Sequence, residues 1–214
     1  MSTFESVMEL SSFETCRKEV ISRKTIGRIL EAGRQAPSPG NVQSLEFIVV
    51  EDEDRREMLS ESVNDERVAE APTSVILVED VDRMTRHVGH DLSQEFCNAE
   101  VACSVQNMRL TAADEGISSC WISGFDEMVV ADQFSVPDGK TPLAVVSFCY
   151  TDDPVKRPQK FGLNSVCFYD EYGNQVGSVF DDFEFPGIKE SSEVYGKKAK
   201  GLTDKLRRKV REFL

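Results

Sequence analysis

Apolar positions along this chain follow two alternating rhythms, one helical and one extended. Ile26, Ile29, Leu30 and Gly33 recur at three- and four-residue steps, so 24–35 reads as a helix that Pro37 stops. A short unbroken apolar run at 47–50 reads as a buried strand, 54–60 as a helix and 74–78 as a second strand. The longest predicted element is a helix over 91–115, closed by Gly116. Its apolar residues Leu92, Phe96, Ala99, Ala102, Val105, Met108, Leu110 and Ala113 spread over more than one face, which predicts a helix buried nearly all round at the domain centre. A strand over 118–122, a helix over 127–134 and a strong central strand over 143–150 follow, then a last short strand over 165–169. Beyond Gly173 the pattern weakens until Leu202, Leu206 and Val210 form a narrow seam on a basic helix. No internal repeat and no low-complexity linker interrupts the chain. Helices and strands intermix, the signature of an α+β or α/β domain.

At 214 residues, 40% of them hydrophobic, the chain suits one ordinary domain with a substantial core. No apolar run approaches the roughly 20 residues of a membrane span. The N-terminal MSTFESVMEL is acidic and polar where a secretory signal is basic and then apolar, so a cytoplasmic location is expected. The formal charge of −13 is uneven: residues 197–214 carry eight basic and two acidic side chains, or +6, leaving −19 on the remainder. A body of that charge repels nucleic-acid phosphates and anionic lipid, although the basic tail could hold an anionic partner. Such acidity also fits a protein adapted to high salt. Cys16, Cys97, Cys103, Cys120, Cys149 and Cys167 form no C-x-x-C pair and read as free thiols in a reducing compartment. The only histidines, His87 and His90, lack placed partners, so they read as surface residues and no metal site is expected.

Chemistry is concentrated in small polar stretches at the ends of apolar elements: TCRK at 15–18, SPGNVQ at 38–43, VNDER at 63–67, WISGFD at 121–126 and KRPQK at 156–160. Each taken alone is equally a turn, a helix cap or a solvated charge run. In so acidic a body, the two basic stretches suggest an anionic ligand such as a phosphate.

Taken in order, these stretches resemble the nitroreductase family of FMN-dependent enzymes over about residues 15–173. APSPGNVQ is similar to the family's APSxxNxQPW segment, and AADEGISSCWISGFD with the later Cys149-Tyr150 is similar to its second half. The resemblance implies an α+β, three-layer homodimer, with a central mostly antiparallel sheet flanked by helices and FMN at two subunit interfaces. It implies a domain over 1–173 and a C-terminal extension over 174–214 whose basic helix packs on the domain or on the partner subunit. Thr15 and Arg17 match an Arg-x-Ser-x-Arg motif that holds the FMN phosphate and ribityl chain. Ser38, Asn41 and Gln43 match the segment along the flavin. Asn64 and Arg67 match an asparagine and a cation at the ring edge. Ser123 and Gly124 match a pair whose backbone approaches the flavin N5, and Arg157 and Lys160 fall where basic residues meet the phosphate.

The sequence departs from the pattern at three places. Phe13 stands at the motif's first arginine, Ser44-Leu45 replaces Pro-Trp, and Ser123 replaces an acidic residue. The implied activity is hydride transfer from NAD(P)H, by ping-pong exchange, to nitro compounds, quinones or related acceptors. No side chain in the matched segments is an evident acid, base or nucleophile, so the flavin carries the chemistry. A specialised branch (reductive dehalogenation or flavin breakdown) and a non-catalytic flavin- or partner-binding module are the alternatives.

Overall fold

A computed structural model describes residues 2–156, 160–161 and 163–174. The chain divides into two compact units, Met1–Arg157 and Pro158–Leu214. Arg157 and the Leu202, Leu206 and Val210 seam lie outside the described residues.

The first unit is built on four antiparallel strands in the order β1-β2-β4-β3, with β1 at Leu45–Val50, β2 at Thr73–Asp80, β3 at Ser118–Ile122 and β4 at Lys140–Cys149. β2 and β4 are central, and β2 is buried at every position. Alternating side chains feed two separate cores, as the strand period of two requires. Ile76, Val78, Val145, Cys120 and Ile122 face Leu59, Val63, Val68 and Val130 from α3 (Glu53–Val63), α4 (Arg67–Glu70) and α7 (Glu127–Gln133). Val75, Leu77, Val146 and Phe148 face Ile26 and Ile29 of α2 (Arg23–Arg34) and Val101, Val105 and Met108 of α6 (His90–Asp114). This is the three-layer α+β arrangement the resemblance implied.

Helix ends follow local capping rules. Ser22, Asp52 and Asp126 accept from main-chain N–H groups at the starts of α2, α3 and α7, satisfying donors that a helix leaves unpaired. α1 (Thr3–Glu9) carries a full capping box between Ser2 and Glu5.

Two expectations are corrected. The segment at 165–169 is not a strand: Leu163–Val166 forms a short helix, α8, and the residues after it turn. Cys167 N–H bonds Leu163 O at 3.0 Å and Tyr169 N–H bonds Asn174 O at 3.0 Å, so local turn bonds satisfy this segment where a strand would need a ladder. α6 is not buried all round either. Only one stripe is covered, from Ser93 through Cys97, Glu100, Ser104 and Met108 to Ala112, while Leu92, Ala99 and Cys103 are exposed. No helix among the described residues is long and apolar enough to cross a membrane.

Candidate functional site

The N-terminal segment that precedes α2 is held against the far end of β4. Arg17 N–H donates to Tyr150 O at 2.8 Å, an isolated antiparallel bridge, and the Arg17 guanidinium lies 5.6 Å from the Tyr150 ring centre. Beside it the Asp153 carboxylate accepts from Glu14 N–H at 2.6 Å, Thr15 N–H at 2.7 Å and the Thr15 hydroxyl at 2.6 Å. Those bonds, the Thr15 hydroxyl foremost, hold Asp153 well below the usual carboxylate range. Lys156 pairs with Glu14 at 2.6 Å, so the basic stretch reaches the N-terminal motif through its first lysine.

Asn64 ends α3 in the left-handed conformation, with φ of 52°, and is exposed. The turn it makes delivers Arg67 to the first position of α4. Arg67 is gripped by Asp65, with Nε at 2.8 Å from one carboxylate oxygen and Nη2 at 2.5 Å from the other. That pairing lowers the Asp65 carboxyl and raises the Arg67 guanidinium. Arg67 also interacts electrostatically with Cys120 of β3 and with Glu14. The N-terminal motif, the Asn64–Arg67 turn and β3 therefore converge within one protomer. Ser123 and Gly124 leave β3 exposed, and Gly124 has φ of +78° with open space where a Cβ would stand. A flat group can approach that backbone closely.

Ser38, Asn41 and Gln43 do not join this cluster. Their loop carries Gly40, Asn41 and Gln43 at φ of 58°, 57° and 54°, with Val42 right-handed between the last two, and Gln43 in particular resists this conformation. It is stitched by Gln43 N–H to Ser38 Oγ at 3.1 Å and by Arg83 Nη1 to Gln43 O at 2.8 Å. The loop enters β1 where Asp80 N–H bonds Ser44 O, at the C-terminal end of β2. Arg17 and Tyr150 lie beyond the opposite end, where Thr73 pairs with Phe148. At about 3.3 Å per residue the two ends are roughly 25–30 Å apart along the sheet. Lys160 is exposed and belongs to the second unit.

The residues fit FMN in part. Arg17 is half-exposed, with ion pairs of 3.6 and 3.5 Å to Glu19 and Asp152 that an incoming phosphate can exchange. Asn64, Arg67 and Gly124 suit a planar polar ring. Thr15 is the exception, because Asp153 already occupies its donors. Asp65 and Asp153 were missed in the sequence reading. Asp65 was legible as the residue two before Arg67 in a tight turn, whereas the 138-residue separation of Thr15 and Asp153 left no signal.

The chain is similar to known proteins of one family. The model of the nitroreductase family matches residues 16–67 and 60–150. A protein of Archaeoglobus fulgidus with the provisional name NADH dehydrogenase/NAD(P)H nitroreductase is 28% identical over 137 residues, 62% of this chain and 76% of its own. The structure of NfrA2 from B. megaterium superposes with a TM-score of 0.74 at 19% identity, covering 94% of this chain and 86% of that one. An FMN-dependent nitroreductase from Clostridium difficile R20291 gives a TM-score of 0.63 at 20% identity, covering 72% and 91%. With the family pattern running from Cys16 to Tyr150 on the fold that carries it, this chain belongs to the nitroreductase family.

Proposed function

We propose that the protein is an FMN-dependent oxidoreductase that takes hydride from NAD(P)H and delivers electrons to a small acceptor such as a quinone or nitro compound. The observation that carries this reading is the convergence of Arg67, the Thr15–Arg17 segment and the Ser123–Gly124 backbone in one protomer. When bound, FMN would supply the hydride and electron transfer chemistry. The chain's own residues bind and orient. Arg17 offers charge to the phosphate, Asn64 offers an amide to the ring edge, and Arg67 places a cation beside it. Gly124 leaves room for the ring to lie against main chain. Thr15 acts from behind this surface, its donors spent on Asp153, which fixes the segment that presents Arg17.

The separation of Ser38–Gln43 from this cluster favours a homodimer in which the loop of one copy completes the site of the other. The uncovered side of α6, with Leu92, Ala99 and Cys103 exposed, offers an apolar surface for that contact.

The test is direct. Purified protein should be yellow, and FMN added to stripped protein should quench Trp121, which stands two residues from Ser123 on β3. NAD(P)H oxidation with menadione or a nitroaromatic should follow. Colourless protein with no quenching would reject the cofactor. Binding without turnover would leave only a flavin-binding module.

A further inference from the structure

The loop Ser38–Gln43 is rooted on two enclosed carboxyl groups. Ser44, which follows it, is fully buried, and its hydroxyl donates to Glu100 Oε2 at 3.0 Å. The main-chain N–H groups of Ser44 and Leu45 also favour the ionised form of Glu100, which comes from α6 and is buried. Leu45 pairs with Glu79 across β1 and β2. Glu79 is completely buried, and neither of its carboxyl oxygens has a hydrogen-bond partner. It lies on the strand face where Val75 and Leu77 are core residues, a place where a leucine would pack without cost.

The surroundings decide the charge state. Cys97 of α6, which faces Glu79, is uncharged, its thiol pushed up to about 12 by burial. Asp80, the next residue of β2, is engaged by Arg83 of α5 (Val81–Val88) at 3.3 Å, and Arg83 is the cation that acts on Glu100. Lys140 of β4 is held by Glu46 of β1 at 2.6 Å. No cation among the described residues is paired with Glu79. Two ionised carboxylates enclosed together repel, and the arrangement holds only if one keeps a proton. The Ser44 hydroxyl completes its bond to Glu100, and the Ser44 and Leu45 N–H groups favour a charge there; the Ser44 hydroxyl and the Cys97 thiol also favour a charge on Glu79, but neither completes a hydrogen bond to it and burial outweighs both.

We infer that Glu79 and Glu100 act as a positioning pair that holds a single proton and fixes the Ser38–Ser44 loop for the flavin, Glu79 neutral and Glu100 ionised. Asn41 and above all Gln43 sit in the left-handed region that side chains disfavour, so the loop needs a firm anchor. Glu100 supplies it at Ser44. Removing the proton from Glu79 sets a second negative charge against Glu100 and releases the anchor. Burial raises the Glu79 carboxyl to about 8, so release falls at mildly alkaline pH. The inference rests on the reading of this loop as a flavin-lining segment.

The experiment uses full-length protein from about pH 6 to 9.5. Exchange of the Ser44 and Leu45 amides is read by NMR, corrected for intrinsic rate, and FMN affinity by Trp121 quenching. In the wild type, protection of both amides should drop about tenfold between about pH 7 and 9, with affinity weakening in parallel. Glu79→Gln should abolish the pH dependence of both, and Glu100→Gln should lose protection at every pH. Infrared difference spectra of the wild type should show a protonated buried carboxyl that disappears over the same range, a measurement that needs no variant. An unchanged profile in Glu79→Gln, or no protonated carboxyl at neutral pH, overturns the pair. Amides that respond while FMN affinity does not would keep the pair as the loop's anchor and overturn the loop's assignment to the flavin.

Discussion

At the residue scale the site is a set of charges whose partners are already present. Arg67 is bidentate to Asp65, and Arg17 is shared between two exposed carboxylates. Arg17→Ala and Arg67→Ala should each weaken FMN binding by about 1–3 kcal/mol, measured by titration of stripped protein. Ser123→Ala should keep most turnover, because the contact proposed there is main-chain, and a dead Ser123→Ala would show that the side chain matters. Glu79 makes a separate prediction about stability. Its carboxyl stays protonated up to about 8, whereas in the unfolded chain it ionises near 4.5. Between those values the unfolded state binds fewer protons, so stability falls as pH rises through that window and levels off above it. Glu79→Gln removes the titration. Its urea-unfolding free energy should exceed the wild type's by a margin that grows to a few kcal/mol by about pH 8. Parallel curves would assign the cost elsewhere.

At the scale of elements, α2 and α6 approach each other closely at Gly33. A Cβ on Gly33 would stand 2.8 Å from Met108 Cγ and 2.9 Å from Ser104 Oγ, so glycine sets the spacing of the two helices. Gly33→Ala should destabilise by about 1–3 kcal/mol, less any relief from the flexible Met108, and calorimetry against wild type would read it. Most of this level was legible in the sequence. The helix expected at 24–35 is Arg23–Arg34, and the strand expected at 118–122 is Ser118–Ile122. Short elements fixed by caps escaped notice: α1 by its Ser2–Glu5 box, and α5 (Val81–Val88) by Asp80. The reading of α6 failed because composition records apolar residues without saying what covers them. In one copy the stripe through Val101, Val105 and Met108 meets the sheet, and Leu92 meets solvent. The site was half legible. Motif order gave the segments at Thr15, Asn64, Arg67 and Gly124, but only strand register shows that Ser38–Gln43 lies at the other end of the sheet.

For the whole molecule, charge and assembly are the open variables, and both can be measured. A chain of net −13 repels itself, so its melting temperature should rise from low to molar KCl as counterions screen that repulsion. Assembly has the sharper test. If each site joins the Arg67 cluster of one copy to the Ser38–Gln43 loop of the other, then Arg67→Ala alone and the pair Asn41→Ala with Gln43→Ala alone should both be poor in flavin and in turnover. Mixed by unfolding and refolding together, half of the dimers are hybrids. Each hybrid has one site built from an intact Arg67 and an intact loop, and one site damaged twice. About a quarter of all sites are then restored, so flavin content and turnover should rise to about a quarter of the wild-type level, well above either parent. A site contained within one copy predicts no recovery at any mixing ratio, because every protomer in the mixture carries a defect of its own. Light scattering on the same samples closes the argument: recovery must come from dimers, and a flavin-loaded monomer would mean that the loop reaches its own Arg67 after all.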